Sequence, residues 1–281
     1  MHKDKVLRMH PTIINNMTNT KSLNQRQISI LGCGWLGMPL ALILVQKGHE
    51  VKGSTRSDLK SEALRLSGVL PFVVDLSQTN NDLSGFLQTD VLIIAVSSKQ
   101  VEDFRNLIHQ TEKSTVQKVL FVSSTSVYPN TNGIVTETSD VTDSALTQIE
   151  SLFRSSNAFK TTILRFGGLF GYDRKPGRFF PAGKKIDQPE GFVNFIHRDD
   201  CIGIIEQIIE QNIWQETLNA CTDTHPTRRA FYTNEALKLG LPEPEFIESS
   251  VIEYKIISSE KVKEMLGYRF LYPDLMGYKE G

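Results

Sequence analysis

The chain has 281 residues, of which 40% are apolar and 22% are charged, so a packed core is expected and an intrinsically disordered chain is excluded. Its formal net charge of −1 includes no excess of basic residues, which argues against a nucleic-acid partner. The three cysteines, Cys33, Cys201 and Cys221, are too few and too widely spaced for a disulfide framework or a zinc site, and they fit a reducing cytoplasm.

The start of the chain differs from the rest. Residues 1–25 are polar and contain no continuous apolar segment, so we expect a flexible leader and no secretory signal there. An apolar stretch as long as any in the chain, residues 40–45, is far too short to cross a bilayer. The sequence therefore predicts a cytoplasmic protein without a membrane segment.

The first predicted strand, residues 28–31, runs directly into a glycine loop, Gly32-Cys33-Gly34-Trp35-Leu36-Gly37. A helix is predicted over residues 38–46, where Pro39 is tolerated because a first helical turn leaves its N–H groups unpaired. A second strand is predicted at residues 51–54. A strand, glycine turn, helix and strand within thirty residues form a βαβ unit, which predicts a parallel sheet.

Strand and helix patterns continue to alternate through the middle of the chain. Apolar runs predict further strands at residues 70–74, 91–96, 118–122 and 161–166. Apolar residues at helical spacing lie between them, and again at residues 202–209. The predicted fold class is therefore α/β, with a Rossmann-type doubly wound parallel sheet.

The pattern changes after residue 221. A helix over residues 231–239, a strand-like stretch over 246–257 and a short helix over 259–266 follow, the last with Ser258 or Ser259 as N-cap. We expect a smaller mixed lobe on the substrate side. The predicted division is a Rossmann domain over 26–221 and the smaller lobe over 222–281, to which residues 172–192 contribute.

The spacing of the three glycines predicts a dinucleotide-binding loop, although an ordinary turn also uses glycines. Gly32 permits the tight turn, Gly34 lets the backbone approach a pyrophosphate, and Gly37 allows close packing of helix on strand. The start of the helix then presents N–H groups to the phosphates. Cys33 is interpreted as a small filler rather than a redox group. The predicted cofactor contacts in this loop are Gly32, Gly34, Trp35, Leu36 and Gly37.

The end of the second strand indicates which dinucleotide binds. Residues 51–57 contain no acid for a ribose diol, whereas Arg56 can pair with a 2′-phosphate, helped by the hydroxyls of Ser54 and Thr55. This favours NADP over NAD, FAD and S-adenosylmethionine. The alternative is that Arg56 is a solvated surface residue and NAD binds. Asp75, after the third strand, either contacts the adenine side or only ends a strand.

The order of these motifs resembles the short-chain dehydrogenase/reductase superfamily, in its extended NAD-dependent epimerase/dehydratase branch. The resemblance covers residues 27–275, and the segments at 123–128 and 194–200 are more specific than the glycines. Besides the glycine loop, the matching segments are Asp75-Leu76, Ala95-Val96-Ser97-Ser98, residues 122–128, residues 164–171 and Asn194-Phe195-Ile196-His197-Arg198-Asp199-Asp200.

The resemblance implies positions for a site. Ser124 falls where the family's active-site Ser or Thr polarises a carbonyl, with Thr125 as the nearby substitute. Residues 167–172, which end in Tyr172, would lie beside the nicotinamide ring. His197 would lie at the seam between the two lobes. The alternative is that the hydroxyls of residues 123–126 only satisfy backbone groups where a strand ends, and that His197 is a packed structural residue. Three residues would line the nicotinamide ribose: Ala95, Val96 and Ser97.

One departure from the family pattern leaves two hypotheses. The family's Tyr-x-x-x-Lys pair is replaced by Thr142 and Leu146, when the helix is aligned on Glu150. The first hypothesis is an NADP-dependent oxidoreductase or nucleotide-sugar-modifying enzyme with a non-standard acid/base, acting on a small-molecule substrate. Its proton donor would be Tyr128, Tyr172, His197 or water. The second is a non-catalytic NADP-binding sensor or scaffold protein. The oligomeric state is not predicted.

Overall fold

The computed structural model of the protein describes residues 25–78, 82–181 and 183–279. The predicted flexible leader therefore lies, apart from residue 25, outside the described residues. Within the described part of the chain, every helix is too short or too polar to span a bilayer.

The molecule is built on a seven-stranded, wholly parallel sheet with the strand order β3-β2-β1-β4-β5-β7-β10. In chain order the strands are β1 (Gln27–Leu31), β2 (Glu50–Thr55), β3 (Leu70–Val73), β4 (Val91–Ile94), β5 (Lys118–Ser124), β6 (Ile134–Val135), β7 (Lys160–Phe166), β8 (Gly168–Phe170), β9 (Phe195–His197), β10 (Thr217–Ala220) and β11 (Ile256–Ile257). The helices are α1 (Gly37–Gln46), α2 (Asp58–Leu66), α3 (Ser84–Leu87), α4 (Val101–Glu112), α5 (Ala145–Ser155), α6 (Arg198–Glu210), α7 (Arg228–Lys238) and α8 (Glu260–Leu266).

The central strands are apolar on both faces because helices cover both faces of the sheet. In β4, Val91 and Ile93 pack into a cluster with side chains from α1, α6 and α8. The alternate residues Leu92 and Ile94 pack into a second cluster with side chains from α3, α4 and α5. Successive side chains of a strand point to opposite faces, so this sorting confirms the predicted doubly wound Rossmann-type sheet.

A smaller group of elements packs beside the carboxyl ends of the strands. Its apolar cluster joins β8, β9 and α7, with Phe195 stacked on Phe231 at 5.1 Å between ring centroids. Helix α8 packs instead on the large sheet, through Val262 and Leu266. The predicted boundary at residue 221 stays a prediction.

Two features of the chain after α6 differ from the sequence-based expectation. Strand β10 was not predicted, although it forms the edge of the sheet against β7. The strand expected over residues 246–257 is wrong except at Ile256–Ile257, because only these two residues reach a partner strand, β6. Phe246 makes a single bridge to Ile186, and residues 247–253 are exposed, although the N–H groups of Ile247 and Glu253 donate to the Ile186 carbonyl and the Gln188 side chain.

Ser259 precedes α8 as predicted, but its side chain does not cap that helix. Its hydroxyl accepts a hydrogen bond from the backbone N–H of Cys221 and donates one to the carbonyl of the same residue, both at 2.8 Å. The side chain therefore fastens the start of α8 to the end of β10.

Asp200, in the first turn of α6, joins residues 268–272 to this helix, which packs on the large sheet. Its carboxylate is fully buried and accepts hydrogen bonds from the backbone N–H groups of Leu271, at 2.7 Å, and Tyr272, at 3.1 Å. The hydroxyl of Tyr268 donates a third at 3.0 Å. Burial raises the pKa of Asp200, and the three donors partly oppose that rise.

Candidate functional site

The glycine loop crosses the carboxyl end of β1, and two of its glycines are required by close contacts. Gly32 has φ +100°, and a Cβ there would lie 2.7 Å from the Cγ1 of Val96 and 2.9 Å from the carbonyl oxygen of Ala95. A Cβ on Gly37 would collide with the carbonyl oxygen of Gly32. A Cβ on Gly34, by contrast, would meet nothing within 4 Å, so the space above this residue is open.

The loop keeps backbone donors available at the start of α1. The N–H groups of Gly32 and Cys33 are paired with the hydroxyl and the carbonyl of Ser54, both at 2.8 Å. Among the described residues, the N–H groups of Trp35 and Leu36 have no acceptor, and no side chain caps α1. Two available donors at a helix N-terminus, below an open space, fit the pyrophosphate of a dinucleotide.

Cys33 points away from this open space. A Cβ at Gly53 would lie 2.7 Å from its sulfur, so the thiol fills the gap over that glycine. Burial raises the pKa of the Cys33 thiol to about 12, which supports the filler interpretation over a redox one. All three cysteines are buried free thiols, and no group of His, Cys, Asp and Glu within the described ranges is placed to hold a metal ion.

The predicted adenosine-side residues follow β2 and β3. Ser54 is buried beneath the loop, and the Thr55 hydroxyl accepts from the N–H of Ser57 at 3.2 Å. Arg56 is exposed, and its charge helps to lower the pKa of Asp75, after the larger effect of two hydrogen bonds from Ser77. The geometry assigns Ser54 a role in supporting the loop and leaves Arg56 as the accessible charge. The phosphate contacts stay predictions.

Three predicted nicotinamide-side residues follow β4. Ala95 continues the ladder with β1, since its N–H donates to the carbonyl of Leu31 at 2.9 Å. Ala95 and Val96 are half-buried against Gly32, and Ser97 is exposed. The structure thus places Ala95 and Val96 beside the glycine loop, and the contact of all three residues with a ribose stays a prediction.

Ser124 ends β5, and its hydroxyl retains a proton to donate. Its Oγ accepts from the N–H of Ser126 at 3.1 Å, and no described residue accepts from it. The hydroxyl of Ser123 faces the other way and donates to Glu150 at 2.6 Å. Thr125 is buried. Of the predicted pair, Ser124 is therefore better placed to donate to a substrate oxygen.

Thr142 and Leu146, at the two positions of the family's Tyr-x-x-x-Lys pair, lie near the start of α5. The Thr142 hydroxyl donates to the carbonyl of Val127 at 3.0 Å, and Leu146 is buried in the core. Ser144 caps α5 in a reciprocal capping box with Thr147. No group at either position can therefore do the acid/base work of the family pair.

The structure separates the three side chains considered as proton donors. Tyr128 is 2% exposed, and its hydroxyl is held between Arg165 and Asn219. His197 is 1% exposed and accepts from the N–H of Asp199 at the start of α6. Tyr172 is 47% exposed, and its hydroxyl donates to the Asp199 carboxylate at 3.0 Å. Of these three, solvent and substrate can reach only Tyr172.

Three residues that contact Trp35 at the site were not predicted, namely Asp173, Arg174 and Arg198. The indole of Trp35 donates to the carboxylate of Asp173 at 2.6 Å. The Arg174 guanidinium lies 4.6 Å from the centre of the same ring, and that of Arg198 lies 5.2 Å from it. Arg198 also lies 3.7 Å from the ring centre of Tyr172. Arg198 lies inside the matched segment 194–200 and Arg174 lies three residues after the matched segment 164–171, but neither position indicates a contact with Trp35.

Comparison with known families and curated proteins finds similar sequences over most of the chain. A family model described as coenzyme F420-dependent NADP oxidoreductase matches residues 27–126, which hold the glycine loop and the first five strands. Protein YeeZ of Escherichia coli strain K12 is 33% identical over 267 residues, which are 89% of this chain and 97% of YeeZ.

Solved structures similar to this fold include dinucleotide-binding proteins. A protein from Methylobacillus flagellatus, described as a candidate NAD-dependent epimerase/dehydratase, is 26% identical with a TM-score of 0.73, over 89% of this chain and 94% of that one. UDP-glucuronic acid 4-epimerase from Bacillus cereus, in complex with NAD, has a TM-score of 0.72 at 19% identity, over 89% and 94% of the two chains. MoeE5 in complex with UDP-glucose and NAD has a TM-score of 0.72 at 16% identity, over 87% and 93%.

Proposed function

The chain belongs to the family of Protein YeeZ and has the fold of epimerase/dehydratase-like short-chain dehydrogenases/reductases, and from this premise we propose that it is an NADP(H)-dependent enzyme. Its substrate would be a small molecule that carries a carbonyl or a hydroxyl group. Nucleotide sugars are the first class to test, because two proteins of the same fold bind or act on them. A cytoplasmic location is part of this proposal.

One observation carries the proposal, namely the state of the glycine loop. The N–H groups of Trp35 and Leu36 point from a helix start without acceptors in the described chain, and Gly34 leaves the space above them open. A pyrophosphate supplies the acceptors that these donors lack. Arg56 is accessible for a 2′-phosphate, which supports NADP over NAD.

Ser124 supplies the proposed contact to the reacting group. When bound, a nicotinamide dinucleotide supplies hydride-transfer chemistry at this edge of the sheet. The Ser124 hydroxyl would donate to the substrate oxygen and hold it in place while its own Oγ accepts from Ser126. Hydride would add to the carbonyl carbon, and the proton for the resulting alkoxide oxygen would come from water or from Tyr172, whose hydroxyl donates to Asp199 at 3.0 Å.

A second candidate function rests on the start of α5. Leu146 has no charge to lower the pKa of a neighbour, and the Thr142 hydroxyl is already bonded to Val127. These replacements favour a protein that binds NADP(H) as a sensor or scaffold and performs no turnover.

Cofactor binding is tested by a thermal-shift panel of NADPH, NADP, NAD and FAD. A ligand at a hundredfold excess over its Kd stabilises the protein by about 2.7 kcal/mol, so a bound dinucleotide gives a clear rise in Tm. We expect the largest shift with NADPH or NADP. If no dinucleotide changes Tm, the proposed function is refuted.

Catalysis is tested by following NADPH oxidation with nucleotide sugars and with small aldehydes and ketones. Where turnover is found, Ser124→Ala is expected to lower kcat by about a hundredfold, because it removes a donor to the developing oxyanion. Ser126→Ala is the matched control, since only its backbone N–H contacts Ser124. Full activity in Ser124→Ala would refute its role. NADP(H) binding with no turnover on any substrate would favour the sensor hypothesis.

A further inference from the structure

We propose that Arg174 and Arg198 are anion ligands that bind the pyrophosphate of the dinucleotide together with the N–H groups of the glycine loop. The inference rests on the proposed function, and it deepens that function by adding two charged side chains from outside the glycine loop. Arg174 lies in the turn after β8, and Arg198 is the first residue of α6.

Both guanidinium groups lie beside the loop because they pack against one of its side chains. The centre of the Trp35 indole is 4.6 Å from Arg174 and 5.2 Å from Arg198. Trp35 also carries one of the backbone N–H groups available to a phosphate. The two positive charges and the backbone donor therefore belong to one small region around a single residue.

Neither arginine has a counter-ion in the described part of the chain, where no carboxylate lies within ion-pair distance of either guanidinium. The Nε of Arg198 is buried and has no hydrogen-bond acceptor there. The neighbouring carboxylates have other donors: Asp173 accepts from the Trp35 indole and Asp199 from Tyr172. A buried donor without an acceptor is costly, so an anion at this place would satisfy it.

The turn that carries Arg174 is held in position before any ligand binds. The N–H of Gly171 donates to the carbonyl of Arg174, and the N–H of Arg174 donates to that of Gly171, both at 3.0 Å. Gly171 has φ +115° and packs on the ring of His197, where a Cβ would not fit. Tyr172 has φ +58° and bonds to Asp199. The turn thus places its arginine without the cost of ordering a loose segment.

The test measures Kd by calorimetry for NADPH, NAD and 2′-AMP. Each ligand is titrated into the wild-type full-length protein, Arg174→Gln, Arg198→Gln and the double variant. Each single variant is expected to weaken NADPH and NAD by the same factor, about tenfold, because both carry a pyrophosphate. The double variant should lose about a hundredfold and part of the salt dependence of binding. Binding of 2′-AMP, which has no pyrophosphate, should not change.

The matched control is Arg178→Gln, an exposed arginine four residues from Arg174 that has no contact with Trp35 and no ion pair among the described residues. It should bind both dinucleotides like the wild type. A second readout is local: in a Trp214→Phe background, Trp35 is the remaining indole of the two in the chain. Its emission should change in Arg174→Gln and should respond to NADPH.

The outcomes are separable. Unchanged NADPH and NAD affinity in a folded double variant overturns the inference and leaves the proposed function standing. Loss of UDP-glucose binding with intact NADPH binding also overturns it, because the arginines would then serve a substrate phosphate. If the wild type binds no dinucleotide at all, the proposed function and the inference both fail. Arg174 is exposed, so its variant keeps the test valid even where Arg198→Gln unfolds the chain.

Discussion

Gly32 and Gly34 lie two residues apart, yet glycine is suited to these two positions for different reasons. Gly32 needs a positive φ and lies under the backbone of Ala95, so its side-chain space is occupied by protein. Gly34 has ordinary backbone dihedrals and open space around it, so nothing in the protein excludes a methyl group there. The requirement at Gly34 would therefore come from the ligand.

Alanine substitutions separate the two requirements. Gly32→Ala is expected to lower the free energy of unfolding by about 1–3 kcal/mol, because alanine at φ +100° is strained and meets Ala95 and Val96. Gly34→Ala should change it by less than about 0.5 kcal/mol and weaken NADPH binding by at least about tenfold. Denaturant unfolding and calorimetry measure the two effects. Normal NADPH affinity in Gly34→Ala would contradict this assignment.

Arg56 is expected to determine the choice between NADP and NAD. Arg56→Ala removes the one accessible charge at the end of β2, so the affinity for NADP should fall about tenfold while that for NAD stays unchanged. The ratio of the two Kd values is the measurement. Arg65→Ala, at the far end of α2, is the control and should leave the ratio unaltered. An unaltered ratio in Arg56→Ala would remove it as the phosphate reader.

The loop residues could be predicted from the sequence because their pattern is local, three glycines within six positions between a strand and a helix. Arg174 and Arg198 could not be predicted, since they contact Trp35 only after the chain has folded across more than a hundred residues. The commitment of the Ser54 hydroxyl to Gly32 was missed for the same reason. Contacts between distant segments leave no spacing rule in the sequence.

At the scale of elements, α5, β5 and β7 are joined by one buried carboxylate. Glu150 on α5 accepts from Ser123 on β5 at 2.6 Å and from two nitrogens of Arg165 on β7, at 2.9 and 2.5 Å. Arg154, one turn along the helix, adds a further bond at 2.9 Å from the surface. Arg165 also donates to Tyr128, so this network lies directly behind the strand that presents Ser124.

Glu150→Ala should therefore destabilise the fold by about 3–5 kcal/mol, because it leaves the buried Arg165 guanidinium without its counter-ion. Arg154→Ala removes a partner whose side chain is 42% exposed and should cost less than about 1 kcal/mol. Urea unfolding followed by circular dichroism measures both. A loss in Glu150→Ala no larger than that in Arg154→Ala would contradict the importance of the buried pair.

Most elements of the sheet could be predicted because buried parallel strands are short apolar runs and the helices between them are amphipathic. Strand β10 could not, since Thr217 and Asn219 interrupt its apolar character and an edge strand needs fewer apolar residues. The strand predicted over residues 246–257 failed for the opposite reason: its residues have strand propensity but mostly find no neighbouring strand. Pairing is decided by tertiary structure, which overrides propensity.

At the scale of the whole molecule, the reactivity of the three thiols indicates whether the core excludes solvent. Burial raises the pKa of Cys33 to about 12 and also raises the pKa values of Cys201 and Cys221. At pH 8 the native protein therefore holds almost no thiolate, the form that reacts. We expect no fast reaction with Ellman's reagent in buffer and three equivalents in guanidinium chloride, which matches the cysteine count. Rapid release of even one equivalent from the native chain would contradict the burial of the three thiols.

The three bonds that Asp200 accepts from residues 268–272 have a consequence for how the protein matures. During synthesis, β1 and the glycine loop leave the ribosome early and can pair with β2 and β4 as soon as these appear. The first turn of α6 carries both Asp200 and Arg198. The Asp200 carboxylate lacks its three hydrogen-bond donors until residue 272 has emerged from the ribosome. Nascent chains arrested before that residue should bind a dinucleotide only weakly. Cofactor binding should therefore be among the last steps in the maturation of this protein.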